Sequence, residues 1–132
     1  MSYDSGKSQP DHPKEECGVV GIHMPGGEAS RLAFFGLFAL QHRGQESAGI
    51  AAANGTTINS HSDMGLVTQI FREPDFYPLA GDLAIGHTRY STTGSSQLCN
   101  AQPILVSGHH GQLALAHNGN IINSYQLKTQ LE

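Results

Sequence analysis

The sequence predicts an α+β domain built on a mostly antiparallel sheet. Two observations carry the prediction. A short apolar strand is followed by one amphipathic helix and then by runs of strand character in hairpin pairs. Asn54-Gly55 and the pair Gly108 and Gly111 sit where such hairpins must turn. Sixteen Gly and six Pro in 132 residues supply the turns this arrangement needs.

Order is expected to begin at Cys17. The run from Cys17 to His23 is short, apolar and β-branched, which is the pattern of a buried strand. Pro25-Gly26-Gly27 marks a turn. From Ser30 to Gln41, Leu32, Phe35, Phe38 and Ala39 recur at helical spacing, with Phe34 and Leu37 widening the stripe. The stripe is expected to pack on the sheet. Ser47 to Ala53 is a strand of small residues, and Thr56 to His61 is its return strand. Asp63 is expected to cap a short helical turn through Phe71. Pro74 and Pro78 bracket an irregular segment, and Leu83 to Tyr90 is a further strand. Ser91 to Gln102 is a polar loop, and Ile104 to Ser107 pairs with Gln112 to His117. Asn123 then caps a helix running to Glu132, with Leu127 and Leu131 on one face. No stop signal follows, so the chain is expected to be a fragment.

Composition excludes several classes. Seven Lys and Arg against eleven Asp and Glu leave a net charge of -4, and the basic residues are scattered. Nucleic acids and anionic membranes are held by clustered basic charge, so neither is an expected partner. No stretch approaches the roughly 18 apolar residues of a membrane span. Residues 1–16 are polar and contain no apolar core of a secretory signal. Cys17 and Cys99 are the two cysteines. A cytoplasmic protein with free thiols is therefore expected. The eight histidines show no helical zinc spacing, and His109 and His110, being adjacent, would face opposite sides of a strand. No metal site is expected in this chain.

What remains is a set of polar groups beside glycines at element ends. Cys17-Gly18 stands at the junction of tail and first strand. The string from Gln41 to Glu46 ends the helix, that from Gly86 to Tyr90 ends a strand, and His117 to Asn120 ends another. Singly, each has an ordinary reading: Cys17 a buried thiol, Arg89 a salt-bridge partner, Asn118-Gly119 a turn, Cys99 a loop thiol.

Taken in order, Glu15-Glu-Cys-Gly-Val19, Gln41-His-Arg-Gly-Gln-Glu-Ser-Ala-Gly-Ile50, Gly86-His-Thr-Arg-Tyr90, Ala101-Gln-Pro103 and Ala116-His-Asn-Gly-Asn120 resemble the glutamine amidotransferases whose glutaminase domain is an N-terminal-nucleophile hydrolase. The resemblance covers Cys17 to Glu132. Within the family it points to the amidophosphoribosyltransferase branch of purine synthesis. The amino-sugar branch, glutamine–fructose-6-phosphate aminotransferase, has Tyr-Arg-Gly-Tyr-Asp where this chain has His42-Arg-Gly-Gln-Glu46. It has Trp in place of Tyr90, and Asn-Ala-His-Pro in place of Asn100-Ala-Gln-Pro103. That branch is the enzymatic alternative, and a non-catalytic truncated module is the other.

The resemblance implies a four-layer αββα fold, incomplete here, with glutamine as substrate. It implies Cys17 as nucleophile and, through its α-amine, as base. Asn118 and Gly119 would form the oxyanion hole, Arg89 and Thr92 would bind substrate, and Arg43 and Gly44 would shape the pocket. It implies that residues 1–16 are a propeptide and that 17–132 are the start of the glutaminase domain. An internal Cys17 has an amide nitrogen without usable basicity, so the uncleaved chain is expected to be inactive. Phosphoribosyl pyrophosphate, Mg2+ and, in some leader-bearing members, a 4Fe-4S cluster belong to a domain absent from this chain. So does the Asp that binds the substrate ammonium. The full-length protein is expected to be a homo-oligomer.

Overall fold

The computed structural model describes residues 17–43, 46–90, 97–119 and 121–132, Arg43 by its backbone alone. Four strands, β1 (Cys17–His23), β2 (Ser47–Ala53), β3 (Ile58–Met64) and β4 (Leu83–Arg89), form one sheet in the order β1-β4-β2-β3. Every pairing in it is antiparallel. The last two strands, β5 (Ile104–Gly108) and β6 (Gly111–Leu115), form a separate hairpin. Helix α1 (Ala29–Leu40) continues into a 3₁₀ turn at Gln41–Arg43. A one-turn helix α2 (Val67–Ile70) and a terminal helix α3 (Ser124–Leu131) complete the order.

Side chains of a strand alternate between faces, and register partners share a face. The register therefore sorts the four-stranded sheet into two surfaces. Gly18, Val20, Ala48, Ile50, Ala84, Gly86 and Thr88 face α1. Cys17, Val19, Ser47, Gly49, His87 and Arg89 face the opposite way. The helix side is the core, where Ala33, Leu37, Ile50, Val67, Leu79 and Ala84 are buried together. Each of its fully buried large aliphatics contributes about 1.5–3 kcal/mol by leaving water.

Helix α1 meets this sheet through small residues. Its buried positions are Ala29, Ser30, Ala33 and Leu37, whereas Leu32, Phe35 and Phe38 are 43%, 62% and 48% exposed. Of the predicted stripe, Leu32, Phe35, Phe38 and Ala39 form the outward face and only Leu37 packs on the sheet, so the expected facing is corrected. Helix and sheet approach too closely for rings between them. A Cβ on Gly36 would stand 2.9 Å from Val20, and one on Gly18 2.8 Å from Thr88 Oγ1. Phe34 alone turns to the side, edge-on to Phe71 and Phe76 at 6.2 and 5.7 Å. Arg31 ties the helix to the 3₁₀ turn at Glu73–Phe76 through Glu73 and lies over the Phe76 ring.

Two other expectations change. Asp63 lies inside β3, where its carboxylate accepts from the Met64 N–H at 2.7 Å. The helical turn begins later, and the Gln69 side-chain oxygen takes the Leu66 N–H. Asn123 occupies the N-cap position of α3, but its side chain makes no capping hydrogen bond. Helix α3 buries none of its residues; Leu127 and Leu131 are 40% and 88% exposed. The hairpin is likewise open on one face, where Ile104, Val106, Leu113 and Leu115 are all exposed. No helix among the described residues is long and apolar enough to cross a membrane.

Candidate active site

The face of the sheet away from α1 carries Cys17, Ser47, His87 and Arg89. Cys17 begins β1, Arg89 ends β4 and Ser47 begins β2, and the register sets all three in one row. Antiparallel pairing of three strands explains why residues so far apart in sequence meet at one sheet end. Cys17 is half-buried with a free thiol. Ser47 is 2% exposed, and its hydroxyl has no hydrogen-bond partner among the described residues.

The segment after β6 closes over this row. Asn118 Nδ2 donates to the Cys17 carbonyl at 3.1 Å, across 101 residues of sequence. Gly119 follows with φ +145, a conformation that side chains disfavour and glycine accepts. The preceding residue is gripped twice. The His117 N–H donates to Gln102 Oε1 at 2.8 Å, and its carbonyl lies 3.1 Å from His87 Nε2. Gln102 itself is seated by its backbone against Gly49 of β2.

Arg89 extends along the same face. Its Nη1 donates to the Asn100 carbonyl at 3.3 Å, and its Nε stands 3.6 Å from Glu46 Oε2. Both side chains are largely buried, at 16% and 12% exposure. Glu46 is further fixed by its backbone, whose N–H reaches the Arg89 carbonyl at 2.9 Å. The buried carboxylate holds the guanidinium at the sheet end, where a free charge would be costly.

The structure thus brings together Cys17, Arg89, Asn118 and Gly119. Thr92 and Gly44 lie outside the described residues, as does the side chain of Arg43, whose backbone ends the 3₁₀ turn after α1. Sequence reasoning passed over Glu46, His87 and Gln102 as site residues. Their signal was present, because each belongs to one of the strings quoted above. What was missing was the facing of β4, which follows from register.

His87 is 1% exposed. Burial pushes its imidazole down to about 4, aided by the neighbouring His117 and Arg89 charges and opposed by the His117 carbonyl and the Asn118 side chain. The neutral ring therefore carries its proton on Nε2, facing the His117 carbonyl. Its Nδ1 is buried without a partner among the described residues. As pH falls below the ordinary 6.5, the unfolded chain takes up a proton here and the folded chain does not until about 4. This group's contribution is complete above pH 6.5 and lost toward pH 4, about 3 kcal/mol in all. Denaturant titrations from pH 7 to 4 are expected to show a steeper loss of stability in the native protein than in His87→Gln. Parallel curves would remove His87 from the titration.

No group of three or more His, Cys, Asp or Glu side chains comes together among the described residues, so they offer no ligand set for Mg2+ or an iron–sulfur cluster.

Comparison with known proteins gives a consistent result. No family model matches the chain. Over 131 residues it is 55% identical to the amidophosphoribosyltransferase of Synechococcus elongatus, covering 99% of this chain and 27% of that protein. It is 53% identical over 131 residues to amidophosphoribosyltransferase 3, chloroplastic, of Arabidopsis thaliana, and 57% identical over 117 to the amidophosphoribosyltransferase of Archaeoglobus fulgidus. The chain spans about a quarter of the length of each, 24% and 25% in these two. Among solved structures, it superposes on glutamine phosphoribosylpyrophosphate amidotransferase from B. subtilis, complexed with ADP and GMP, with a TM-score of 0.75 at 46% identity, covering 86% of this chain and 24% of that one. A structure described as the allosteric regulatory enzyme of purine biosynthesis gives 0.78 at the same identity and coverage. The fold is therefore that of the N-terminal-nucleophile hydrolases, of which the four-stranded sheet and its helix layer are one part.

Proposed function

The chain belongs to the amidophosphoribosyltransferase family, as the N-terminal glutaminase part, and from that premise we propose that it hydrolyses glutamine at Cys17. The ammonia would serve the making of 5-phosphoribosylamine from phosphoribosyl pyrophosphate, the first step of de novo purine synthesis, in a domain beyond this chain. Mg2+ and any iron–sulfur cluster belong to that domain in this reading, and no step in this chain runs through them. The complete protein is read as a cytoplasmic homo-oligomer. One observation carries the proposal: the Asn118 side chain reaches the backbone of Cys17, directly across from Arg89.

Amide hydrolysis needs a nucleophile, a base, an oxyanion site and a grip on the amino-acid end. The Cys17 thiol attacks the γ-carboxamide carbon as its proton passes to the Cys17 α-amine, freed by removal of residues 1–16. An α-amino group ionises near 7.7–8.0 and a thiol near about 8.5, so the transfer is nearly balanced at neutral pH. The carbonyl electron pair moves onto oxygen. A primary amide has two N–H bonds. One from Asn118 is spent on the Cys17 carbonyl, and the other, with the Gly119 N–H, meets the oxyanion. Collapse breaks the C–N bond, and the α-ammonium returns its proton to the departing ammonia. Water then cleaves the thioester to glutamate and restores the thiol. Arg89 grips the substrate α-carboxylate through its planar fork, Thr92 completes that end, and Arg43 and Gly44 shape the pocket wall.

The test is Cys17→Ala in the full-length protein. Glutamine-dependent product formation is expected to vanish, while formation from free ammonia persists. Glutamine turnover at the native rate in this variant overturns the proposal. In the same assays Arg89→Lys keeps the charge and loses the fork. Its KM for glutamine is expected to rise about tenfold with kcat little changed, as for the loss of one charge-assisted hydrogen bond. Unchanged constants would take Arg89 out of the grip.

A further inference from the structure

We propose that His87 and Gln102 are positioning residues that clasp the His117 peptide groups from two sides and so aim the Asn118 and Gly119 donors. The inference rests on the glutaminase reading above and deepens it.

His117 stands one residue before the two donors. A short segment leaving a hairpin has little to fix it: Ala116 is half-buried, and His117, Asn118 and Gly119 are exposed. Gly119, with no side chain, adds freedom rather than constraint. The Asn118 amide bonds the Cys17 carbonyl at its tip, but the backbone that carries it needs a support of its own. Two side chains supply it from separate parts of the chain. His87 projects from β4, an interior strand of the sheet beside β1, and its Nε2–H meets the His117 carbonyl at 3.1 Å. Gln102 stands in the segment before β5, and its Oε1 accepts the His117 N–H at 2.8 Å. The two bonds fix the peptide groups on either side of the His117 Cα. The plane leading into Asn118 is thereby set.

Both anchors are themselves held. His87 is 1% exposed, one residue before Thr88, which is wholly buried. Gln102 rests on Gly49 and lies between buried Ala101 and Pro103. The His87 bond thus runs from the rigid sheet to the donor segment, and Cys17 belongs to the same sheet. Nucleophile and donors share one frame through His87. A displacement of about 1 Å in such a constellation can cost on the order of a hundredfold in rate.

The experiment uses the full-length, leader-free enzyme with four variants: His87→Leu, His87→Gln, Gln102→Leu and Gln102→Glu. The first and third remove a bond. The second keeps a donor and the fourth an acceptor. His87→Leu and Gln102→Leu are expected to lower kcat for glutamine hydrolysis about 30- to 100-fold, with KM within about twofold and the ammonia-dependent rate unchanged. His87→Gln and Gln102→Glu are expected to recover most of the loss. A glutamate-derived aldehyde, which adds to the Cys17 thiol and places an oxyanion in the same hole, should lose affinity by the factor lost in kcat. Glutamate should not.

A purely structural role would lower thermal stability without that split between aldehyde and glutamate. Native kcat in both leucine variants, or equal losses for aldehyde and glutamate, overturns the clasp. Should His87→Leu fail to fold, Gln102→Leu tests the clasp through the other peptide group of His117. Cys17→Ala separates the two levels of inference. If it retains glutamine turnover, the glutaminase reading falls; if it is inactive while both leucine variants run at the native rate, only the clasp falls.

Discussion

Gly49→Ala is expected to cost the domain about 3 kcal/mol, the upper end of what overpacking usually costs. Gly49 lies in the middle of β2, on the face that carries Cys17 and Arg89. A Cβ built there would overlap the Gln102 carbonyl oxygen and come within 2.7 Å of the Ser62 Cβ. Neither neighbour is the far end of a flexible side chain. The oxygen belongs to the backbone of the 97–103 segment, and Ser62 is the register partner on β3. Relief requires that segment to lift from the sheet. Gln102 would then leave the His117 N–H, so the substitution should damage glutamine hydrolysis as well as stability. Gly108→Ala is the control, since nothing lies within 4 Å of its added carbon among the described residues. Thermal denaturation of the full-length protein should show a clear fall for Gly49→Ala and none for Gly108→Ala. Equal midpoints would mean that the 97–103 segment does not rest on β2.

That glycine marks the limit of what the sequence makes legible. Strands β1 and β2 fall at their expected bounds, Cys17 to His23 and Ser47 to Ala53, because short β-branched or small-residue runs between turns have few other conformations to adopt. The Asn54 turn is legible for the same local reason, its side-chain oxygen taking the N–H groups of Thr56 and Thr57 at 2.9 Å. Facing is different. Helix α1 is apolar on both sides, so periodicity alone could not choose, and the choice fell to the closeness of helix and sheet at Gly18 and Gly36. Glu46, His87 and Gln102 illustrate the point within the site. Their partners lie across strands or in distant loops, and only register says that His87 faces with Cys17 and away from α1. The exposed rows on β5–β6 and α3 are apolar runs whose packing no short-range pattern could set.

Full-length protein that retains residues 1–16 is expected to hydrolyse glutamine at least about a hundredfold more slowly than protein beginning at Cys17, the share a general base commonly contributes. The argument starts from what surrounds the thiol. Across the sheet Cys17 faces Arg89, a permanent cation that cannot take a proton. Asn118 presents a donor. His87, two residues along β4, has its Nε2–H turned to the His117 carbonyl; its free Nδ1 has no hydrogen-bond partner among the described residues, and burial makes the ring a weak base. The Glu46 carboxylate is paired with Arg89. None of these groups is placed to deprotonate the thiol, and the thiolate, not the thiol, attacks. In the proposed mechanism the base is the α-amine of Cys17 itself, which exists only when the bond between Glu16 and Cys17 is cut. Intact mass of active enzyme should therefore show loss of Met1 to Glu16. A variant in which that bond resists cleavage should fold, bind glutamine weakly and hydrolyse it little above background, while its ammonia-dependent activity survives. Turnover of glutamine by leader-bearing protein at the processed rate would require another base, and the assignment of that role to the Cys17 amine would fall.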